Sequence, residues 1–309
     1  MNIKNIENIT TIHFDSAVNC IKILNDGNLI LTLKNSLKIY SKIFFKEIMN
    51  INIFEGNILY VTQLKNNNIV ACDNNKSIKI FKLKLEEKNF EIIQNINNAH
   101  NWFITKVKKL LNNKIISICA DKSFKIWKLN EQTNQFFCDF YLNEKNFILD
   151  CLQLNEKILL YSATAFKKDL LIKYNLINKE KDDKIKNIRN ENMGSITNGN
   201  NIKLLNDNFV VYLQTYSISI VDLKKFFIVK EIKINQFKNY CVFVSKENEF
   251  LVGKENGEII KFLWIDNNLI IQFIKSNAEN SKINKIIKIN NKMIGTCSDS
   301  NNVKIFNIN

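Results

Sequence analysis

Two histidines, His13 and His100, seven cysteines and a single arginine, Arg189, are the sparse chemical equipment of this 309-residue chain. A zinc centre takes three or four ligands, so two histidines would need heavy help from cysteine or carboxylate. The cysteines form no C-x-x-C pair. Cys72, Cys119 and Cys297 close the similar apolar runs IVAC, IISIC and MIGTC. A position repeated once per structural unit cannot converge on one metal, so these read as small buried core residues. The stretch GSITNGNN (194–201) has the glycine spacing of a phosphate loop but lacks the lysine that reaches the phosphates. Acidic pairs at Glu86–Glu87 and Asp182–Asp183 look like solvated turns. No nucleophile stands with a base, so the expectation is a non-enzyme with no cofactor, no metal and no small-molecule substrate.

The elements that must carry these residues are repeats. SLKIY ends at Tyr40, SIKIF at Phe81, SFKIW at Trp127, DLLIKY at Tyr174, SISIV at Val221, EIIKF at Phe262 and NVKIF at Phe306. The intervals are 41, 46, 47, 47, 41 and 44 residues. A second apolar run precedes each copy, a third precedes that, and after most copies a fourth follows. Four short strands per unit, at a period of about 40 to 45 residues, mark a β-propeller blade. One such sheet cannot bury both faces alone; neighbours must cover them. The predicted fold is therefore all-β: one domain, 1–309, a seven-bladed propeller of four-stranded antiparallel blades. The last copy stops after its third strand, and the strand-like ENITTIHF (7–14) is otherwise unused, so the N-terminal strand is expected to close the last blade. Lysines spread through the strands suit exposed sheet edges. The charged, Asn-rich segment 178–200 reads as a long loop around a weak outer strand of the fourth blade, either a solvated connection or a partner-binding loop.

Composition limits the partners. There is no proline and there are seven glycines, against abundant Lys, Asn and Ile, as an AT-biased genome would give. Asn and Asp must then make the turns. The formal charge is +14, yet only one of the 44 basic residues is arginine. Codon bias with solubility is one reading; a phosphate-rich partner met by lysine point charges is the other. Direct reading of DNA sequence is not expected. An odd cysteine number, no signal-like N-terminus and no apolar run of about 18 residues point to a reducing compartment and no membrane partner.

The third unit, AHNWFITKVKKLLNNKIISICADKSFKIW, resembles a WD-repeat. Ala99-His100 stands at the Gly-His position, Asp121 in the turn, and Trp127 at the end, 27 residues after His100. The resemblance implies that His100, Ser117, Asp121 and Trp127 hydrogen-bond within the blade, with the carboxylate orienting the imidazole. It also implies a docking platform. Single-domain length and lysine surplus are similar to the receptor-for-activated-C-kinase family, which implies a cytoplasmic scaffold. Such a scaffold would dock on ribosomal RNA and proteins of the small ribosomal subunit and recruit signalling or translation proteins. Lys34 and Lys38, in the first blade's TLKNSLKIY, stand where the family has a ribosome-facing Arg-Asp-Lys turn, whose full motif this chain lacks, and Trp102 offers either blade packing or a protein interface. The alternative is a structural subunit of a vesicle coat, nuclear pore, ubiquitin ligase or RNA-processing complex.

Overall fold

The first strand of the chain, β1 (Ile6–His13), belongs to the sheet made by its last three. In the computed structural model, which describes residues 6–165, 168–188, 202–234 and 237–308, the described residues form seven four-stranded antiparallel sheets, the blades of a β-propeller. Two compact units share them.

Residues 14–148 hold three sheets. The first is β2 (Cys20–Ile23), β3 (Leu29–Thr32), β4 (Leu37–Tyr40) and β5 (Glu47–Ile51). The second is β6 (Ile58–Gln63), β7 (Ile69–Asp73), β8 (Ile78–Lys84) and β9 (Asn89–Ile96). The third is β10 (Ile104–Lys109), β11 (Ile115–Cys119), β12 (Ser123–Asn130) and β13 (Gln135–Asn143). Apolar faces of these sheets share a core that includes Ile39, Val61, Ile80, Phe81, Val107 and Trp127. Each such side chain removed from water contributes about 1.5–3 kcal/mol.

The other unit, residues 1–13 and 149–309, holds four sheets. Its strands are β14 (Phe147–Gln153), β15 (Ile158–Ala165), β16 (Lys168–Asn175) and β17 (Glu180–Ile188); β18 (Ile202–Leu204), β19 (Phe209–Leu213), β20 (Ser217–Asp222) and β21 (Phe227–Lys233). Then come β22 (Asn239–Lys246), β23 (Glu249–Lys254), β24 (Ile259–Ile265) and β25 (Asn268–Lys275), and finally β26 (Ile283–Lys288), β27 (Met293–Ser298) and β28 (Asn302–Ile308) with β1 on the edge. The expected completion of the last blade is thus observed: Ile6 pairs Ile308, His13 pairs Asn302, and Ile6 is buried. Within 178–200, residues 180–188 form β17, the outer strand. Residues 189–201, with Arg189 and the whole glycine stretch, lie outside the described residues.

All seven motif-ending residues sit in third strands and are buried. At each of them the pairing with the fourth strand slips by one residue, as between Ile126 and Trp127 or between Ile80 and Phe81. A bulge repeated at this place bends and twists every outer strand, one way to blunt an exposed edge. Lysine does not guard every edge: β25 carries one charge, Lys275, at its very end.

Asn does make many turns in the left-handed region, at positions 67, 98, 134, 248 and 301 among others. Lys76 and Lys122 do so as well. By strand register these two share one turn position with Asn301 and Gly257. At Gly257 a Cβ would strike the Glu279 carbonyl, so glycine is required there in addition to its φ of 80°.

Candidate functional site

The connection before β10, the strands β11 and β12 and the turn between them bring together the four residues expected to interact, with Ser123 as a fifth. Trp127 Nε1–H donates to Ser117 Oγ at 2.8 Å. Ser117 Oγ lies 2.7 Å from His100 Nε2, and Ser123 Oγ lies 3.0 Å from His100 Nδ1. The Ser123 hydroxyl donates to Asp121 Oδ1. Both ends of this chain are fixed, since an indole can only donate and a carboxylate only accept. Ser117 therefore gives its proton to Nε2, and Nδ1–H donates to Ser123. The imidazole is the neutral Nδ1–H tautomer, and each link in the chain finds a partner of the right polarity.

Asp121 thus orients the ring through Ser123, a residue the motif comparison left out; its own Oδ2 is 3.7 Å from Nδ1. Burial pushes the His100 pKa down to about 4, only partly opposed by Asp121. Burial alone would raise Asp121, but donation from the Ser123 hydroxyl and the Asn101 N–H outweighs it and holds the carboxyl below its usual range. Lys125 Nζ donates to the Ala99 carbonyl at 2.7 Å, tying the third strand to the entering loop.

Cys119 is not at the place of Cys72 and Cys297, and that expectation is corrected. Cys72 and Cys297 face Ile78 and Val303 across the ladder, where the third sheet has Ile118 opposite Phe124. Cys119 is one residue further on, which turns its side chain to the His100 face. All three are buried nonetheless. Cys119 Sγ donates to the Trp102 carbonyl and receives the Asp121 N–H, and burial pushes its thiol up to about 12. His100, Cys119 and Asp121 offer ligand atoms within 4.8 Å of one another, the one such group among the described residues. A cation there would have to displace Ser117 or Ser123 from the ring and deprotonate a reluctant thiol, so the group fits a hydrogen-bond network better than a metal.

The seventh sheet builds a related network that the sequence comparison missed because no histidine precedes it. Glu279 stands four residues before Ile283, as His100 stands four before Ile104. Thr296 and Ser298 hydroxyls donate to its carboxylate, the latter at 3.2 Å. Lys304 takes the place of Lys125, donating to the Ala278 carbonyl at 2.9 Å and lying 3.6 Å from Glu279 Oε2. Burial raises the Glu279 carboxyl, partly opposed by Thr296, Lys304 and Ser298. In the second sheet Phe54 holds the histidine position, Ala71 the serine position, and Lys79 lies over the Phe54 ring at 5.4 Å.

A second set of residues faces outward at the same strand ends. In residues 14–148 every turn between second and third strands carries a lysine: Lys34, Lys76 and Lys122. Each lysine's carbonyl accepts an N–H from the chain on its way into the next sheet, from Ile58 at the start of β6 and from Ala99 and Glu144 in connections. Lys34 is exposed, the other two are half-buried, and Lys122 Nζ lies over the Phe147 ring. Lys38, by contrast, pairs with Glu47 at 2.7 Å, close to the Tyr40 hydroxyl, and its charge is neutralised locally. Trp102, beside His100 in the same connection, is 59% exposed, with its ring edge-on to Phe103. No helix among the described residues is long and apolar enough to cross a membrane. A scan against family models finds no match, and a search of curated proteins finds no relative; the fold is established by the seven sheets themselves.

Proposed function

We propose that this chain is a non-enzymatic, WD-repeat-like interaction scaffold of the cytoplasm that docks on the small ribosomal subunit and recruits other proteins. The observation that carries the reading is the run of anchored lysine turns, Lys34, Lys76 and Lys122, on three consecutive sheets. Backbone pinning fixes where the three lysine stems leave the strand ends, so their ammonium groups share one end of the strands where a phosphate surface could meet them, and the exposed Trp102 ring beside Asn101 offers a stacking or anchoring surface. Lys38 is not part of this contact, because Glu47 already holds it. The non-enzymatic part is supported by the burial of the His100 ring and of Ser117, whose oxygen is held by the Trp127 N–H, which keeps this histidine–serine pair from a substrate.

The test is co-sedimentation of the protein with small subunits over a salt series. The triple variant K34E/K76E/K122E should weaken association strongly and flatten the slope of log affinity against log salt by roughly 2. Unchanged association in that variant, with an unchanged melt, would sink the ribosomal reading; a shift to coat, pore or ligase fractions would favour the structural-subunit alternative.

A further inference from the structure

A groove of about 610 Å³ lies at the opposite strand ends of the first two sheets, between the β2–β3 turn and the β8–β9 turn. Its volume falls in the range of sites that hold a side chain or short segment. Leu24, Leu83 and Leu85 supply apolar lining. One wall is rigid: Asn25 Nδ2 donates to Asn67 Oδ1 at 2.6 Å, and Gln63 Oε1 accepts the Asn25 N–H at 2.7 Å.

The sign of its charge is what distinguishes it. Asp26, Glu86 and Glu87 line the groove with one lysine, Lys84, which is already 3.7 Å from Glu91, and a second ammonium, Lys42 Nζ, sits on the Asp26 carbonyl at 2.7 Å. On a chain of net charge +14 this is a local reversal. Asp26 is occupied by the Asn28 N–H and side-chain amide. Glu86 and Glu87, exposed at the tip of the β8–β9 turn, have neither an ion-pair nor a hydrogen-bond partner among the described residues.

We infer that this groove docks an extended segment of a partner protein in which a lysine or arginine alternates with aliphatic residues. The aliphatic side chains would cover Leu83 and Leu85, with the buried Leu24 as the floor, while the cation meets Glu86 and Glu87. Long-range repulsion from the rest of the chain disfavours cationic peptides, so only a local site of opposite sign would retain one. The inference does not depend on ribosome docking, because the groove and the Lys34–Lys76–Lys122 turns occupy opposite ends of the strands.

The probe is a capped, fluorescein-labelled octapeptide alternating leucine and arginine, followed by anisotropy at physiological salt. Binding is expected for this peptide and not for its leucine–glutamate counterpart. The E86Q/E87Q variant should lose about tenfold in affinity with an unchanged melt. L85K, which fills the apolar lining with a like charge, should abolish binding. Equal binding of the two peptides, or full affinity in both variants, would overturn the proposal. Loss of peptide binding with intact ribosome association would leave the two sites independent, as inferred.

Discussion

Protonating His100 should destabilise the protein, and the size of the loss follows from how its ring is held. The folded ring is held neutral: Nε2 accepts from Ser117, whose oxygen already receives the Trp127 N–H. A proton on Nε2 turns that acceptor into a second donor aimed at Ser117. Burial adds to this, and the pKa falls to about 4, against about 6.5 for an unfolded histidine. A depressed histidine contributes stability that is complete above the unfolded value and is lost as pH falls from about 6.5 to about 4. The full gap corresponds to about 3 kcal/mol, of which about 2 kcal/mol is gone by pH 5. With a urea slope near 3 kcal/mol/M, that is roughly 0.7 M in midpoint. Carboxylates titrate in the same range, so the readout is the difference between wild type and H100Q, followed by tryptophan fluorescence from pH 8 to 4.5. H100Q should be less stable at pH 8 and should close the gap as the pH falls. Parallel curves would refute both the tautomer and the direction of the shift.

Glu279 has the opposite sign. Its carboxyl is raised, so its contribution is present below the unfolded carboxylate range and lost as pH rises through the folded value. E279Q is expected to match or exceed wild-type stability at pH 8 and to fall behind it at pH 4.5; E279A, which orphans the Thr296 and Ser298 hydroxyls, should lose about 1–3 kcal/mol at either pH. Deleting residues 1–13 removes the fourth strand of the last sheet and the buried Ile6, so the melting temperature should drop sharply; an unchanged melt would mean that β1 adds nothing. The edge strand β25 exposes Ile270, Ile271 and Ile274 at about half of their surface with no charge among them. I270K/I274K should therefore reduce concentration-dependent self-association in light scattering while leaving the fold intact.

The blades were legible because one residue type recurs where packing is least forgiving. Tyr40, Phe81, Trp127, Tyr174, Phe262 and Phe306 are each the buried third-strand residue beside a bulge, and Val221 fills the same place with less volume. The bulges themselves left no mark, since an extra residue in an outer strand changes neither composition nor the apolar count. Strand register was the harder quantity. Cys119 looked equivalent to Cys72 because both close an apolar run, yet a one-residue difference in where the turn begins reverses the face. The pairing of Lys38 with Glu47 was equally illegible, because the two lie across a hairpin, nine residues apart, and no local pattern links them. Glu279 was hidden for a related reason: the comparison sought an imidazole, whereas the position needs only an acceptor for two hydroxyls.

That last point bears on why the chain can diverge so far from a single repeat pattern and keep its fold. The pocket beneath each entering loop can be filled in more than one self-consistent way. With a serine or threonine on the second strand, the loop residue must accept or relay protons, as His100 and Glu279 do. With alanine there, the hydroxyl is gone and an aromatic ring suffices: Phe54 over Ala71, with Lys79 against the ring face. The lysine two residues before the terminal aromatic is common to all three arrangements, donating to a carbonyl in two and facing a π-system in the third. Intermediate combinations are the costly ones, because they leave a buried hydroxyl or carboxylate without a partner. Substitution at these positions should consequently be coupled. Ser117→Ala alone strips His100 of a proton donor and Trp127 of an acceptor, and H100F alone orphans Ser117. The double variant should recover part of the sum, a positive coupling of about 1 kcal/mol or more in a double-mutant cycle. Simple additivity would mean that the loop and the strand are not one network.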